Sequence, residues 1–192
     1  LGISFVTFLG ENPECACVAS GVFQNRGFIM ADMLVSLIRI PSIEPGLTKL
    51  REQGITIRRP NPWEQHKLRS FIETHFSKGW ADEVTVAFSH QPVTCFIALR
   101  EKEIVGFAAY ECTRRNFFGP TGVDPAWERR GIGKSLLIAA LQGLQNLGYA
   151  YAVIGSVSSE EYYSKTVGGV VIPFEDGDGI YRLKEDQAFL SR

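Results

Sequence analysis

Val123-Asp124-Pro125-Ala126-Trp127-Glu128-Arg129-Arg130-Gly131-Ile132-Gly133-Lys134-Ser135-Leu136-Leu137 is the stretch that decides how this chain folds. It reads as the end of a strand, a turn of small and basic residues, then an amphipathic helix. Glycines at such a junction leave backbone N–H groups uncovered at the positive end of the helix, which suits a ligand carrying phosphate. Three patterns compete for it. A P-loop, G-x-x-x-x-G-K-[ST], fits at Gly133-Lys134-Ser135 but needs its first glycine at position 128, where Glu128 stands and would repel phosphate. A dinucleotide fingerprint, G-x-G-x-x-G/A, begins at Gly131 and Gly133 but meets Leu136 where a small residue is needed. The third is a site for coenzyme A. The plain alternative is a tight turn with Arg129 and Arg130 solvated; two glycines flanked by basic residues at a helix start argue against it.

Outward from this stretch the elements are legible. Gly133 to Gln145 predicts a helix, with Leu137, Ala140, Leu141 and Leu144 on one face and Gly148 beyond its end. Phe117 to Val123 before it is a strand, and Gly119-Pro120 predicts a bulge or edge distortion in it. Ala150 to Ile154 after it is an apolar strand of the kind covered on both faces. Two strands joined by a helix are expected to lie parallel with a right-handed crossover. Thr94–Arg100 and Ile104–Glu111 flank the polar turn Glu101-Lys102-Glu103 as a hairpin, and Ile55–Arg59 alternates as a half-buried strand. Asn61-Pro62-Trp63-Glu64 starts a helix that carries Leu68, Phe71, Ile72 and Phe76. Ser158 and Glu161 are spaced as a capping box for a short helix. Val170–Pro173 and Gly179–Leu183 are expected closing strands. The prediction is an α/β (α+β) protein with a mixed sheet and helices on both of its faces.

Residues 1–53 read differently. Ile3–Leu9 is strand-like, Leu47–Gln53 is a short helix, and Met30–Ile40 fits helix and strand alike. We divide the chain into an N-terminal extension, 1–53, and a domain, 54–192. The extension either caps the substrate side or builds a homodimer surface.

The 192 residues are 45% hydrophobic and 21% charged, with a formal net charge of −1, so no overall field recruits nucleic acid. No uninterrupted apolar span is long enough for a bilayer, and no signal segment is seen. Of the four cysteines only Cys15 and Cys17 are close, and no second pair completes a metal pattern. Free thiols, no metal, no membrane partner and a cytoplasmic location are therefore expected.

The order of elements over about 55–185 and the residues Val123, Pro125, Gly131 and Gly133 resemble the GNAT superfamily of N-acetyltransferases. That family's motif is [QR]-x-x-G-x-[GA] at a helix start; Glu128 departs from it at the first position. The resemblance implies a mostly antiparallel sheet with two splayed parallel central strands. It implies acetyl-CoA as co-substrate and direct attack by a primary amine, on a small molecule or a peptide, in a ternary complex. It places the coenzyme's diphosphate on the amides of Arg129, Arg130, Gly131, Ile132, Gly133 and Lys134, with Ser135 beside them, and makes Val123 the backbone contact of the thioester. The strings Phe117–Val123 and Gly148–Gly155 are similar to an uncharacterised bacterial subset of the family, which brings no substrate.

Many members have a Tyr in aromatic-Tyr-x-[KR]-x-G as proton donor. Tyr162-Tyr163-Ser164-Lys165 matches, with the glycine one residue late at Gly168, so Tyr163 is the implied general acid. Glu111, ending the strand before the splayed one, is the candidate base, and Glu83 is its alternative. The other functional class that fits is a coenzyme A sensor without turnover.

Overall fold

A computed structural model describes residues 31–173. In chain order it contains β1 (Met33–Ser36), α1 (Glu44–Glu52), β2 (Ile55–Arg58), α2 (Gln65–His75), α3 (Lys78–Thr85), β3 (Cys95–Arg100), β4 (Glu103–Tyr110), β5 (Phe117–Val123), α4 (Ile132–Asn146), β6 (Tyr151–Ile154), α5 (Glu160–Val167) and β7 (Val170–Val171). The sequence-predicted features in 1–30, and the closing strand 179–183 with Tyr181, lie outside these residues.

The strands form one sheet in the order β2-β3-β4-β5-β6-β1-β7. All neighbours are antiparallel except β5 and β6. The hairpin, the parallel pair and the helix between its strands thus stand where the sequence puts them. β1 resolves the ambiguity at 30–40. Met33, Leu34, Val35 and Ser36 pair with Ile154, Val153, Ala152 and Tyr151, so a ladder partner far away in the sequence makes this short segment a strand. Residues 33–52, within the extension set apart in the sequence, therefore supply a strand to the sheet and a helix to its face.

One side of the sheet carries α4, with Leu136, Leu137, Leu141 and Leu144 packed on Val35, Ala108, Phe118 and Ile154; α1 and α5 add Leu50, Tyr163 and Val167 to the same cluster. Each such buried leucine stabilises the fold by roughly 2 kcal/mol relative to exposure. The other side carries α2 and α3, whose Leu68, Ile72, Trp80 and Val84 cover Cys95, Ile97, Phe107 and Ala109.

Local chemistry sets the helix ends. Glu64 accepts the Asn61 backbone N–H at 2.7 Å and holds Arg58 through two bonds, and the Arg58 guanidinium lowers the Glu64 carboxyl to about 2. At α5 the capping hydroxyl is Ser159, which accepts the Tyr162 N–H at 3.3 Å, one residue beyond the expected Ser158.

Two features shape the middle of the sheet. Phe118 pairs with Tyr110 and Thr121 with Ala108, so Gly119 and Pro120 together oppose Ala109. This is the bulge expected there. The β5–β6 ladder comprises only Phe117↔Val153 and Phe118↔Ile154. Beyond it β6 ends while β5, still paired with β4, runs on to Val123, so the parallel strands part.

Gly122 lies in the parted stretch. A Cβ there would come within 2.4 Å of Phe76 Cζ, and the Phe76 ring packs 5.7 Å from both Trp80 and Phe107. Gly122→Ala is expected to lower stability by about 2 kcal/mol and Tm by roughly 5 °C in thermal unfolding. Adding Phe76→Leu should recover part of that loss; no recovery would show that the ring is not the obstacle.

Candidate active site

The site begins at the N-terminus of α4. Asp124 caps the preceding turn by accepting the Ala126 N–H at 2.9 Å. The chain then passes through two left-handed residues, Arg129 (φ 59°) and Gly131 (φ 92°), before the helix starts. The second suits only glycine at low cost. The first bond at the helix start runs from the Ser135 N–H to the Gly131 carbonyl at 3.1 Å. The amides of Ile132, Gly133 and Lys134 precede it and have no partner within the helix. Arg129, Arg130 and Lys134 are exposed around them, and the Arg130 guanidinium lies 4.9 Å from the Trp127 ring centroid.

Ser135 is placed differently from its neighbours. It is buried, its N–H is taken up by the helix, and its hydroxyl lies under α1, 2.6 Å from where a Cβ on Gly46 would stand. Its implied place beside the diphosphate is therefore taken by helix packing.

Two small cavities meet at the parted strands. One, about 30 Å³, lies between α4, α5 and β5 and is lined by Thr121, Gly122, Val123, Gly133, Leu137 and Tyr162 among others. The other, about 50 Å³, opens toward α3 and includes Trp80, Glu83, Thr113, Pro120, Gly155 and Ser156. Phe118, Thr121 and Tyr163 line both. α4 and α5 pack on one face of the sheet and α3 on the other, so the two cavities flank the gap between β5 and β6 from opposite faces. A larger cavity, about 780 Å³, lies between α2 and the β3–β4 turn and reaches Asp124 and Trp127, but neither Tyr163 nor residues 129–135. We assign it no part in the chemistry.

Tyr163 sits at the junction, 6% exposed. Burial, and secondarily the neighbouring Tyr162, push its hydroxyl well above the ordinary phenol value. It stays protonated at any working pH and can give a proton but not take one.

The two candidate carboxylates separate. Glu111 adopts a left-handed conformation (φ 62°), is 8% exposed, and lines neither cavity. Its carboxylate accepts the Asn116 N–H and the Tyr149 hydroxyl, the latter at 3.3 Å, and so holds the β4–β5 connection. Its sequence position suggested the acceptor side; its bonds commit it to the turn. Glu83, the alternative, lines the α3 cavity and accepts the Thr113 hydroxyl.

Sequence reasoning missed Trp80, Thr113 and Ser156. Trp80 lies in a stretch of unclear periodicity, and an isolated Thr or Ser carries no signal. His66 and His75 line only the 780 Å³ cavity. Among the described residues no cluster of three His, Cys, Asp or Glu could hold a metal, and no helix is long and apolar enough to cross a membrane.

Cys95 and Cys112 are free thiols. Burial raises both, and burial with the Glu83 charge pushes Cys112 up to about 12. Iodoacetamide at pH 8 is expected to label Cys112 at least a hundredfold more slowly than an ordinary thiol, because only the thiolate reacts. Peptide-resolved mass spectrometry measures this, with rapid labelling in denaturant as the control.

The comparisons with known proteins follow the same geometry. The acetyltransferase (GNAT) family profile matches residues 55–168. No curated protein sequence matches. Among solved structures, the fold is similar to a GCN5-related glucosamine N-acetyltransferase region of a fungal multi-domain GH3 β-N-acetylglucosaminidase. The TM-score is 0.61 at 16% identity, over 74% of this chain and 19% of that one. It is also similar to a GCN5-related N-acetyltransferase from Sphaerobacter thermophilus, with a TM-score of 0.55 at 18% identity, over 74% and 48% of the two chains. The chain thus spans about a fifth and about half of these proteins, and the likeness is one of fold. With the family profile covering more than half of its length, this chain belongs to the GNAT acetyltransferase family.

Proposed function

We propose that the protein is an N-acetyltransferase that moves an acetyl group from acetyl-CoA to a primary amine by direct attack in a ternary complex. The observation that carries this reading is the gap between β5 and β6, with bare helix amides at one mouth, a carboxylate at the other and a protonated phenol between them.

Acetyl-CoA supplies an activated acetyl thioester and a diphosphate by which to hold it. The amides of Gly131 to Lys134 grip the diphosphate, and Arg129, Arg130 and Lys134 add charge around it. The backbone at Val123, on the strand that runs past the end of its partner, orients the thioester. Glu83 first takes a proton from the acceptor ammonium, which frees the nitrogen lone pair to attack the thioester carbon. As the C–N bond forms and the C–S bond breaks, the nitrogen sheds its second proton to solvent, and Tyr163 gives its own proton to the departing sulfur and recovers one from solvent. Glu111 holds the turn behind the site. Acceptor identity, a homodimer and a cytoplasmic location belong to the same reading but have no bearing on these steps.

The test is thiol release from acetyl-CoA against a panel of primary amines, with CoA binding measured by calorimetry. Amine-dependent thiol release is the expected result. CoA binding without release for any amine would replace the enzyme with a coenzyme A sensor.

A further inference from the structure

The loop that follows β6 is held from an unexpected direction. Asp32, just before β1 and outside the segment matched to the family profile, is 3% exposed and accepts the Ser156 N–H on its carboxylate at 2.9 Å. The backbone beside it adds two bonds: Val157 N–H to the Ala31 carbonyl at 2.9 Å, and Ile172 N–H to the Asp32 carbonyl at 2.8 Å. Under this clamp Ser156 takes a left-handed conformation, φ 50°, which a non-glycine residue adopts only when its surroundings impose it.

The clamped residue carries an unused group. Ser156 is 1% exposed, and its hydroxyl has no hydrogen-bond partner among the described residues. A buried hydroxyl without a partner is unfavourable, and such orphans in native structures call for an explanation. Ser156 lines the 50 Å³ cavity on the α3 side, where, among the described residues, Glu83 is the only lining side chain with a formal charge. The remaining wall is mostly apolar, with Trp80, Phe117 and Pro120. One carboxylate and one orphan acceptor in a narrow apolar slot fit a group with a positive charge, more than one N–H and a slender apolar stem.

Building on the acetyltransferase reading, we propose that the acceptor is a primary ammonium on an unbranched apolar stem. Glu83 and the Ser156 hydroxyl each accept one of its N–H bonds, and Asp32 is the positioning residue that sets Ser156. A carboxylate next to the amine would face Glu83, so α-amino acids are disfavoured. Branching at the nitrogen removes the N–H that Ser156 accepts.

The probes are hexylamine and N,N-dimethylhexylamine, which share charge and stem but carry three and one N–H bonds as cations. Calorimetry on the full chain saturated with CoA reads their binding without turnover. Hexylamine is expected to bind at least about tenfold more tightly than its dimethyl analogue. Ser156→Ala should weaken hexylamine about tenfold, leaving the analogue and CoA within twofold. Asp32→Ala should weaken hexylamine similarly, with no further loss in the double variant. Asp32→Asn, whose amide oxygen accepts the same N–H, should restore binding. Unchanged hexylamine affinity in Ser156→Ala would overturn the proposal, as would no detectable hexylamine binding to the unaltered protein. Hexylamine that binds as described but releases no thiol from acetyl-CoA would leave the pocket assignment standing and remove the transfer reaction instead.

Discussion

Tyr163→Phe is expected to lower kcat by about two to three orders of magnitude at pH 7 while leaving CoA affinity within twofold. The change deletes one oxygen from a ring that otherwise stays packed between α5 and the sheet, so the cluster around Val167 and Ile154 should hold. What is lost is the proton for the departing sulfur. Because burial keeps this phenol protonated, it remains a donor well into alkaline solution and imposes no alkaline limb of its own on the rate. The deficit of the variant, however, depends on pH. Thiols ionise near pH 8.5, so above that pH the thiolate departs without needing a donor. The ratio of unaltered to variant kcat should therefore narrow between pH 7 and pH 9.5. A deficit constant across this range, with weakened CoA binding, would mean that Tyr163 acts by packing alone.

Glu83→Gln is the second large effect. The amide oxygen can still accept from Thr113, so the wall of the cavity should keep its shape while the base is lost. A fall of about a hundredfold or more in kcat/KM for the amine is expected at pH 7. The sign of the pH response identifies the role. Without a base only amine already neutral in solution reacts, and its fraction grows about tenfold per pH unit up to a pKa near 10.4. The variant's rate should climb along that line and approach the unaltered protein near pH 10. Glu111→Gln is the contrast. It weakens a turn, so it should lower Tm while leaving the slope of the pH profile unchanged. If Glu111→Gln instead shows the climbing profile, the base assignment belongs there.

The separation of these two carboxylates shows why part of the site was hidden. Glu111 stands next to the splayed strand in the sequence, and adjacency made it the natural candidate. Its carboxylate folds back onto Asn116 and Tyr149, and nothing in its neighbours announces that. Glu83 comes from a helix on the other face and reaches the gap only because α3 packs across β5. Asp32 and Ser156 are 124 positions apart and carry no motif, so their bond is invisible before folding. The cap of α5 stands one residue further on because Ser158 and Ser159 are equally able to accept an N–H, and only the folded chain sets which one does.

Local rules were enough for the rest. The hairpin at 95–110, the bulge at Gly119-Pro120, the helix over 132–146 and the left-handed glycine at its start each follow from the spacing of apolar residues and from backbone freedom at a few positions. By itself, then, the sequence determined the hairpin, the parallel pair and the glycine-bearing helix start between its strands, because those depend on contacts within one or two elements. Tertiary structure alone decided that Met33–Ser36 is a strand, that Glu83 rather than Glu111 faces the gap, and that Ser156 is held by Asp32. Each is a choice between near-equal local conformations, settled by a partner that only the folded chain brings near.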